Sequence, residues 1–227
     1  MANIFERTIG LIGKENFDYL QNKTIAVVGL GGVGGTALEA LVRSGFNKLV
    51  IMDMDEVDAS NINRQILYTS EDIGKRKVLA AKDRIVQINK DVNVTCIDKK
   101  MNSETAPLVK ADFIVDAIDD VEGKIALAKY AFANDIPFIV SLGMANRLDP
   151  SKVTITKLNK TTSDPLAKKI RYEFKKNNID ISKVFVVFSS EEPLVDNGKL
   201  HSMMMVPSSA GLNIANYVIN YFVNEVK

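Results

Sequence analysis

The chain has 227 residues, of which 46% are hydrophobic and 25% charged, and its formal net charge is +1. That balance fits a soluble globular protein and by itself points to no charged partner. The single cysteine, Cys96, excludes an intramolecular disulfide and a zinc site built from cysteines alone.

No apolar run approaches the ~20 residues of a membrane-spanning helix. The first ten residues, MANIFERTIG, lack the basic region and long apolar core of a signal peptide, so the expected compartment is the cytoplasm. Residues 1–22 read as an N-terminal arm with a short helix. Residues 24–149 read as alternating strands and helices, with strands at 25–28, 49–52, 92–97, 113–116 and 138–141. Helices are predicted over 34–44, 76–89 and 122–134. In the second, Val78, Ala81, Ile85 and Ile88 recur at helical spacing, an apolar stripe suited to a sheet. The strands are short and nearly all apolar, as in a parallel sheet covered on both faces.

Past residue 149 the pattern changes. Residues 153–158 alternate as a half-exposed antiparallel strand does. Asp164 and Pro165 mark a helix start, as N-cap and first helical residue. A strand is predicted at 184–188, a turn at 196–199 and a closing helix over 208–226, with Ala210, Ile214, Val218 and Phe222 on one face. The expected fold is α/β: a Rossmann-like, doubly wound, mainly parallel sheet with an antiparallel C-terminal extension. One domain spans 1–227, with residues 1–22 as an arm, 24–149 as the core and 150–227 as a C-terminal extension. Cys96 is read as a core residue, His201 as structural or surface, and Met203, Met204 and Met205 as core or interface packing.

The segment 23–55 carries the chemistry. An apolar strand runs into Gly29-Leu30-Gly31-Gly32-Val33-Gly34, a helix follows, and a second strand ends on Asp53. This order is a nucleotide-binding βαβ unit. Glycines let the backbone approach a phosphate, and the helix N-terminus offers unpaired N–H groups. Asp53 is placed to accept from a ribose.

A dinucleotide enzyme needs little more than that turn and acid, yet this chain has material for a triphosphate clamp. Asp55, Asn61, Arg64, Gln65 and Lys77 follow, and Asp119 lies past the strand 113–116. Strand ends of an open parallel sheet converge on one crevice, so these groups are expected around one ligand. Arg64 and Lys77 suit phosphate oxygens, and Asp119 suits magnesium. Taken singly, each also fits a surface charge, a helix turn or a cap.

Together, the glycine turn, the Asp53/Asp55 pair, the Asn61-x-x-Arg64-Gln65 run, Lys77 and the Asp119-Asp120 pair resemble the adenylating enzymes related to ubiquitin activation. The resemblance implies ATP and magnesium as cofactors. It implies ligand contacts from Gly29, Gly31, Gly32, Gly34, Asp53, Asp55, Asn61, Arg64, Gln65, Lys77 and Asp119. The run from Glu6 to Gly13, the segment from Thr162 to Lys169, the Val187 to Glu191 stretch and the C-terminal Val206 to Gly211 run are similar to the tRNA threonylcarbamoyladenosine dehydratases.

That branch implies an ATP-driven dehydration. The carboxylate of threonylcarbamoyladenosine in tRNA is adenylated, and the ring then closes within the substrate. Arg64, Lys77 and Asp119 would serve catalysis. Arg7 would reach the ATP of a second subunit in a homodimer. The chain is similar to this family in lacking a thioester cysteine and a zinc-binding cysteine quartet; the missing quartet argues against sulfur-carrier relatives. Two other readings remain at this point: an adenylyltransferase for the C-terminus of a sulfur-carrier protein, and a non-enzymatic nucleotide-binding module. Residues 151–177 hold eight Lys and Arg against two acids. Lys168, Lys169, Arg171 and Lys175 in that run are candidates for tRNA phosphate contacts, with a solvated helix face as the other reading.

Overall fold

The computed structural model describes residues 3–162, 164–195 and 198–225. Short apolar runs make the strands β1 (Thr24–Val28), β2 (Lys48–Met52), β3 (Asn93–Ile97), β4 (Phe113–Asp116), β5 (Phe138–Ser141), β6 (Val153–Lys157) and β7 (Phe185–Ser189). They form one sheet in the order β3-β2-β1-β4-β5-β7-β6, parallel throughout except for the β6–β7 pair. The helices are α1 (Glu6–Ile12), α2 (Lys14–Asn22), α3 (Gly32–Ser44), α4 (Lys77–Ile88), α5 (Val121–Ala133), α6 (Pro165–Lys176) and α7 (Met205–Glu225). Among the described residues, no helix is long and apolar enough to cross a membrane.

Strand periodicity explains the two covered faces. Ile25, Val27, Leu49, Ile51, Phe113 and Val115 point to one side, into a core with α3, α4 and α7. Ala26, Val28, Val50, Met52 and Ile114 point to the other, against Leu127 and Ala131 of α5. Farther along the sheet, Val140, Val186 and Phe188 pack on Ala167, Ile170 and Phe174 of α6. Each fully buried aliphatic side chain contributes about 1.5–3 kcal/mol. The predicted face of α7 is the buried one: Ala210, Ile214, Val218 and Phe222. Phe113 ties β4 to it through ring contacts with Tyr221 at 5.3 Å and Phe222 at 6.2 Å.

From β1 the chain winds outward to β2 and β3, then returns to β4 on β1's other flank. Connections leave the C-terminal ends of β1 and β4 in opposite directions, which opens a crevice there.

Several expectations shift. The N-terminal arm holds two helices, broken at Gly13 with φ 84°, and α2 is anchored by buried Phe17 and Leu20. Helix α3 begins at Gly32, so the last two glycines of the turn sit inside its first turn. Helix α7 begins at Met205, and Val226, predicted as its end, lies outside the described residues, as do Asp196 and Asn197 of the predicted turn. Met203, Met204 and Met205 are exposed, so they are not core packing. Cys96 packs against the core but is only half-buried, because β3 is an edge strand with one uncovered flank. Its Sγ lies 3.6 Å from the Val78 carbonyl oxygen, and burial raises the thiol pKa, leaving it a poor nucleophile.

Candidate active site

The glycine turn is dictated by how closely β1, α3 and the end of β4 approach. Gly29 has φ 89°, and a Cβ there would meet the Ala117 carbonyl oxygen at 2.5 Å. A Cβ on Gly34 would lie 1.8 Å from the Gly29 oxygen. No side chain fits at either place. Gly31 differs: a Cβ there would meet only Gln65 Nε2, at 4.0 Å, and the residue lines the cleft. Protein packing does not require glycine at 31, and the missing side chain leaves the backbone there open to close approach. Gly31 caps α3 without a side chain, so the first N–H groups of the helix face that space.

Asp53 locks the turn to the end of β2. Its Oδ2 accepts from Leu30 N at 2.7 Å and its Oδ1 from Asp55 N at 2.9 Å. Each carboxylate oxygen keeps a further lone pair for a ribose hydroxyl. Tyr68 donates to the Leu30 carbonyl at 3.0 Å; burial, then the charges of Asp53 and Asp55, hold it as a phenol.

The cleft has a volume of about 620 Å³, a size that suits a nucleotide with a second group beside it. Asp53, Asp55, Asn61, Arg64, Gln65, Lys77 and Asp119 all line it, as do Gly29, Gly31 and Gly32. Gly34 is not part of the lining; it serves the turn. Lys77 opens α4, and its Nζ reaches Asp55 Oδ2 at 2.9 Å. The lysine side chain is 7% exposed and the aspartate 54%, so the stem is buried while the charge pair faces the cleft. Arg64 donates to the Ser60 carbonyl at 2.6 Å and to Asn63 Oδ1 at 3.0 Å, which aims the rest of its guanidinium. Gln65 is buried, and its Oε1 has no hydrogen-bond partner. An orphaned buried acceptor beside a cleft is what a ligand donor satisfies. Asn61 Oδ1 accepts from Asp58 N at 3.2 Å and closes the turn that carries Arg64.

Asp119 is exposed on a short loop after β4. Ala117 N donates to the Val28 carbonyl at 2.8 Å, and Asp120 caps α5 through Gly123 N at 2.9 Å. Among the described residues no three His, Cys, Asp or Glu groups converge as a metal site. Asp119 therefore suits magnesium only in company with ligand phosphates, the usual arrangement for that ion.

Beneath the cleft lies a feature that the sequence reading missed. Lys124, fully buried, donates to Asp116 Oδ1 and to the Ser141 carbonyl, both at 2.9 Å. Asp116 Oδ1 also accepts from Ile118 N at 3.1 Å. Burial pushes the Asp116 pKa up, and Lys124 pulls it back. This pair joins the ends of β4 and β5 and sets the backbone on either side of the cleft floor. Its only sequence signal is an acid closing an apolar strand and a lysine one turn into the next helix. Lys99, Lys100 and Met101 after β3, Ser141 at the end of β5 with the stretch 142–145 after it, Leu166 of α6 and Leu200 complete the walls.

The ThiF family model matches residues 5–222. The chain belongs to the ThiF family. This ThiF-family chain is 36% identical to the tRNA threonylcarbamoyladenosine dehydratase of Bacillus subtilis, over 100% of its own length and 97% of the relative's. Among solved structures it is similar to the tRNA N6-threonylcarbamoyladenosine dehydratase of E. coli in complex with ATP. That likeness has a TM-score of 0.92 at 33% identity, covering 98% of this chain and 94% of the other. The same enzyme in complex with AMP matches with TM-score 0.92 at 32% identity, over 98% and 95% of the two chains.

Not every predicted residue of this ThiF-family chain meets at the cleft. Arg7 is exposed on α1 and is not part of the lining. Lys168, Lys169 and Lys175 are exposed on α6, outside the cleft. Arg171 is engaged inside the fold: it donates to the Thr161 carbonyl at 3.0 Å and also to the Thr161 hydroxyl. Its charge fastens α6 to the preceding turn. His201 is exposed, and its backbone pairs with Asn146 in both directions at 2.7 Å.

Proposed function

We propose that this chain is an ATP-dependent tRNA threonylcarbamoyladenosine dehydratase. The observation that carries the reading is the full-length likeness to such an enzyme, coupled with a cleft that gathers Arg64, Gln65, Lys77 and Asp119 around an open glycine turn. A carboxylate is a poor electrophile, since its charge repels a nucleophile and oxide is a poor leaving group. Adenylation removes both obstacles. The substrate carboxylate oxygen attacks the α-phosphorus of ATP, the bond to the β-phosphate oxygen breaks, and pyrophosphate leaves. A carbamoyl atom of the same substrate then attacks the activated carbonyl carbon. A five-membered ring closes and AMP departs, for a net loss of water.

The protein supplies position and charge. The N-terminus of α3 and Gly31 receive phosphate oxygens, and Asp53 and Gln65 receive the nucleoside. Lys77 and Arg64 neutralise charge that grows on the leaving pyrophosphate. Magnesium, held by Asp119 with the ATP phosphates, would add to that neutralisation. Ring closure is intramolecular, so its effective molarity is high and no enzyme thiol is needed. The half-buried, pKa-raised Cys96 agrees with that chemistry.

The active form is a homodimer, in which Arg7 of one subunit completes the site of the other. Leu194, Met203, Met204 and Met205 are exposed apolar side chains that a second copy would cover. The test of the function is incubation with ATP and tRNA that carries threonylcarbamoyladenosine, followed by mass spectrometry of the nucleosides. The expected product lacks one water, with AMP and pyrophosphate formed in equal amount. Tight ATP binding with an unchanged nucleoside mass overturns the reading.

A further inference from the structure

The cleft accounts for one nucleoside of a large polyanion, and the outer face of α6 is left without an assignment. Lys168, Lys169, Tyr172, Lys175 and Lys176 are all exposed, at spacings that place them on one side of the helix. Ala167, Ile170 and Phe174 hold the opposite side in the core. Tyr172 is 65% exposed, at the centre of the four lysines.

Helix stability does not explain this face. Lys175 and Lys176 suit the negative end of the helix dipole, but Lys168 and Lys169 lie in its N-terminal half, where a cation is disfavoured. None of the four makes an ion pair with a described residue. An aromatic ring left in water gains no burial energy. Four uncompensated cations around an open aromatic face have another use. The cations attract phosphates, and the ring stacks on a base with little regard to which base it is. Leu166, in the first turn of the same helix, lines the cleft, so Tyr172 stands about 9 Å farther along the axis.

We propose that α6 is a platform for single-stranded RNA. Tyr172 stacks on an unpaired nucleotide of the tRNA close to the one that enters the cleft, and Lys168, Lys169, Lys175 and Lys176 hold the flanking phosphates. This rests on the reading of the cleft as the site for a tRNA nucleoside, and it adds the surface that presents that nucleoside. Arg171 has no part in the platform, because it is bound to Thr161.

The test uses the full chain and tRNA that carries the modification. Affinity is measured by fluorescence anisotropy across a range of salt, and ATP affinity by titration calorimetry. Tyr172→Ala is expected to weaken tRNA binding by about 5- to 150-fold, the worth of one stacked base, with an unchanged salt slope. Tyr172→Phe keeps the ring and restores the affinity. Replacing the four lysines with Ala flattens the log–log salt dependence by about 0.7 per lost contact. ATP affinity stays at the wild-type value in every variant. Wild-type tRNA affinity in Tyr172→Ala, or equal loss in Tyr172→Phe, overturns the stacking platform. An unaltered salt slope in the lysine variant reduces the face to a solvated one. A wild-type chain that binds the tRNA in this Tyr172-dependent way yet leaves the nucleoside intact sinks the dehydratase reading and leaves the RNA platform standing.

Discussion

Replacing Lys77 with Met separates the catalytic role proposed for this residue from its structural one. The aliphatic stem is buried, and methionine fills nearly the same volume, so little packing is lost. The ammonium bonds Asp55 at 2.9 Å, but that carboxylate is half in water. Freed from Lys77, it rehydrates, and the stability lost is about 1 kcal/mol or less. The transition state is treated differently. A fixed cationic donor removed from the place where charge accumulates costs about 2.7–4 kcal/mol, or a 10²- to 10³-fold fall in kcat. The expected pattern is therefore a nearly unmoved denaturant midpoint with a rate of pyrophosphate release lower by those two to three orders of magnitude. Asp55→Asn serves as the companion, since it leaves Lys77 in place and should fall far less. The catalytic role fails if Lys77→Met raises only KM for ATP with kcat intact, because uniform binding would then be all that was lost. It also fails if unfolding accounts for the missing rate.

Three further outcomes are expected. Cys96→Ser should turn over at the wild-type rate, with AMP released normally, because ring closure needs no thiol; a folded variant that forms pyrophosphate but retains AMP would contradict this. Mixing an Arg7→Ala chain with an Asp119→Ala chain, under conditions that exchange subunits, should restore part of the activity that each lacks, and sedimentation showing a fully active monomer would refute the shared site. Lys124→Met should lower stability by about 3–5 kcal/mol at neutral pH, since it strands the Asp116 carboxylate in the interior. The deficit should shrink towards acid pH: burial already raises the folded pKa of Asp116 above its unfolded value, and removing Lys124, which pulls it back, raises it further, so the variant loses more stability than the parent as pH rises. Denaturant titrations at several pH values read that slope, and a pH-independent deficit would count against it.

The contrast between Lys77 and Lys124 illustrates what was legible in advance. Lys77 lies in a charged run after a glycine turn and an acid-ended strand, so local order alone marks it. Lys124 sits in the helical run Val121-Glu122-Gly123-Lys124-Ile125-Ala126-Leu127-Ala128, which marks it in no way, and only the adjacency of β4 and β5 gives it partners. Likewise Cys96 belongs to an apolar alternating run that suits a core strand; its half exposure follows from β3 lying at the sheet edge.

Periodicity and turn chemistry are short-range, and short-range order determined the strands, most helix starts, the antiparallel character of β6 and the glycine turn with its acid. It also supplied Gly29, Gly31, Gly32, Asp53, Asp55, Asn61, Arg64, Gln65, Lys77 and Asp119, which line the cleft. Long-range packing decided the rest: the wall after β5, the Asp116–Lys124 floor, the use of Arg171 inside the fold and the exposure of Tyr172 among lysines. Those features depend on which strand ends become neighbours and on which face of a helix meets the sheet. Contacts between segments far apart in the chain, summed over a whole core, settle both.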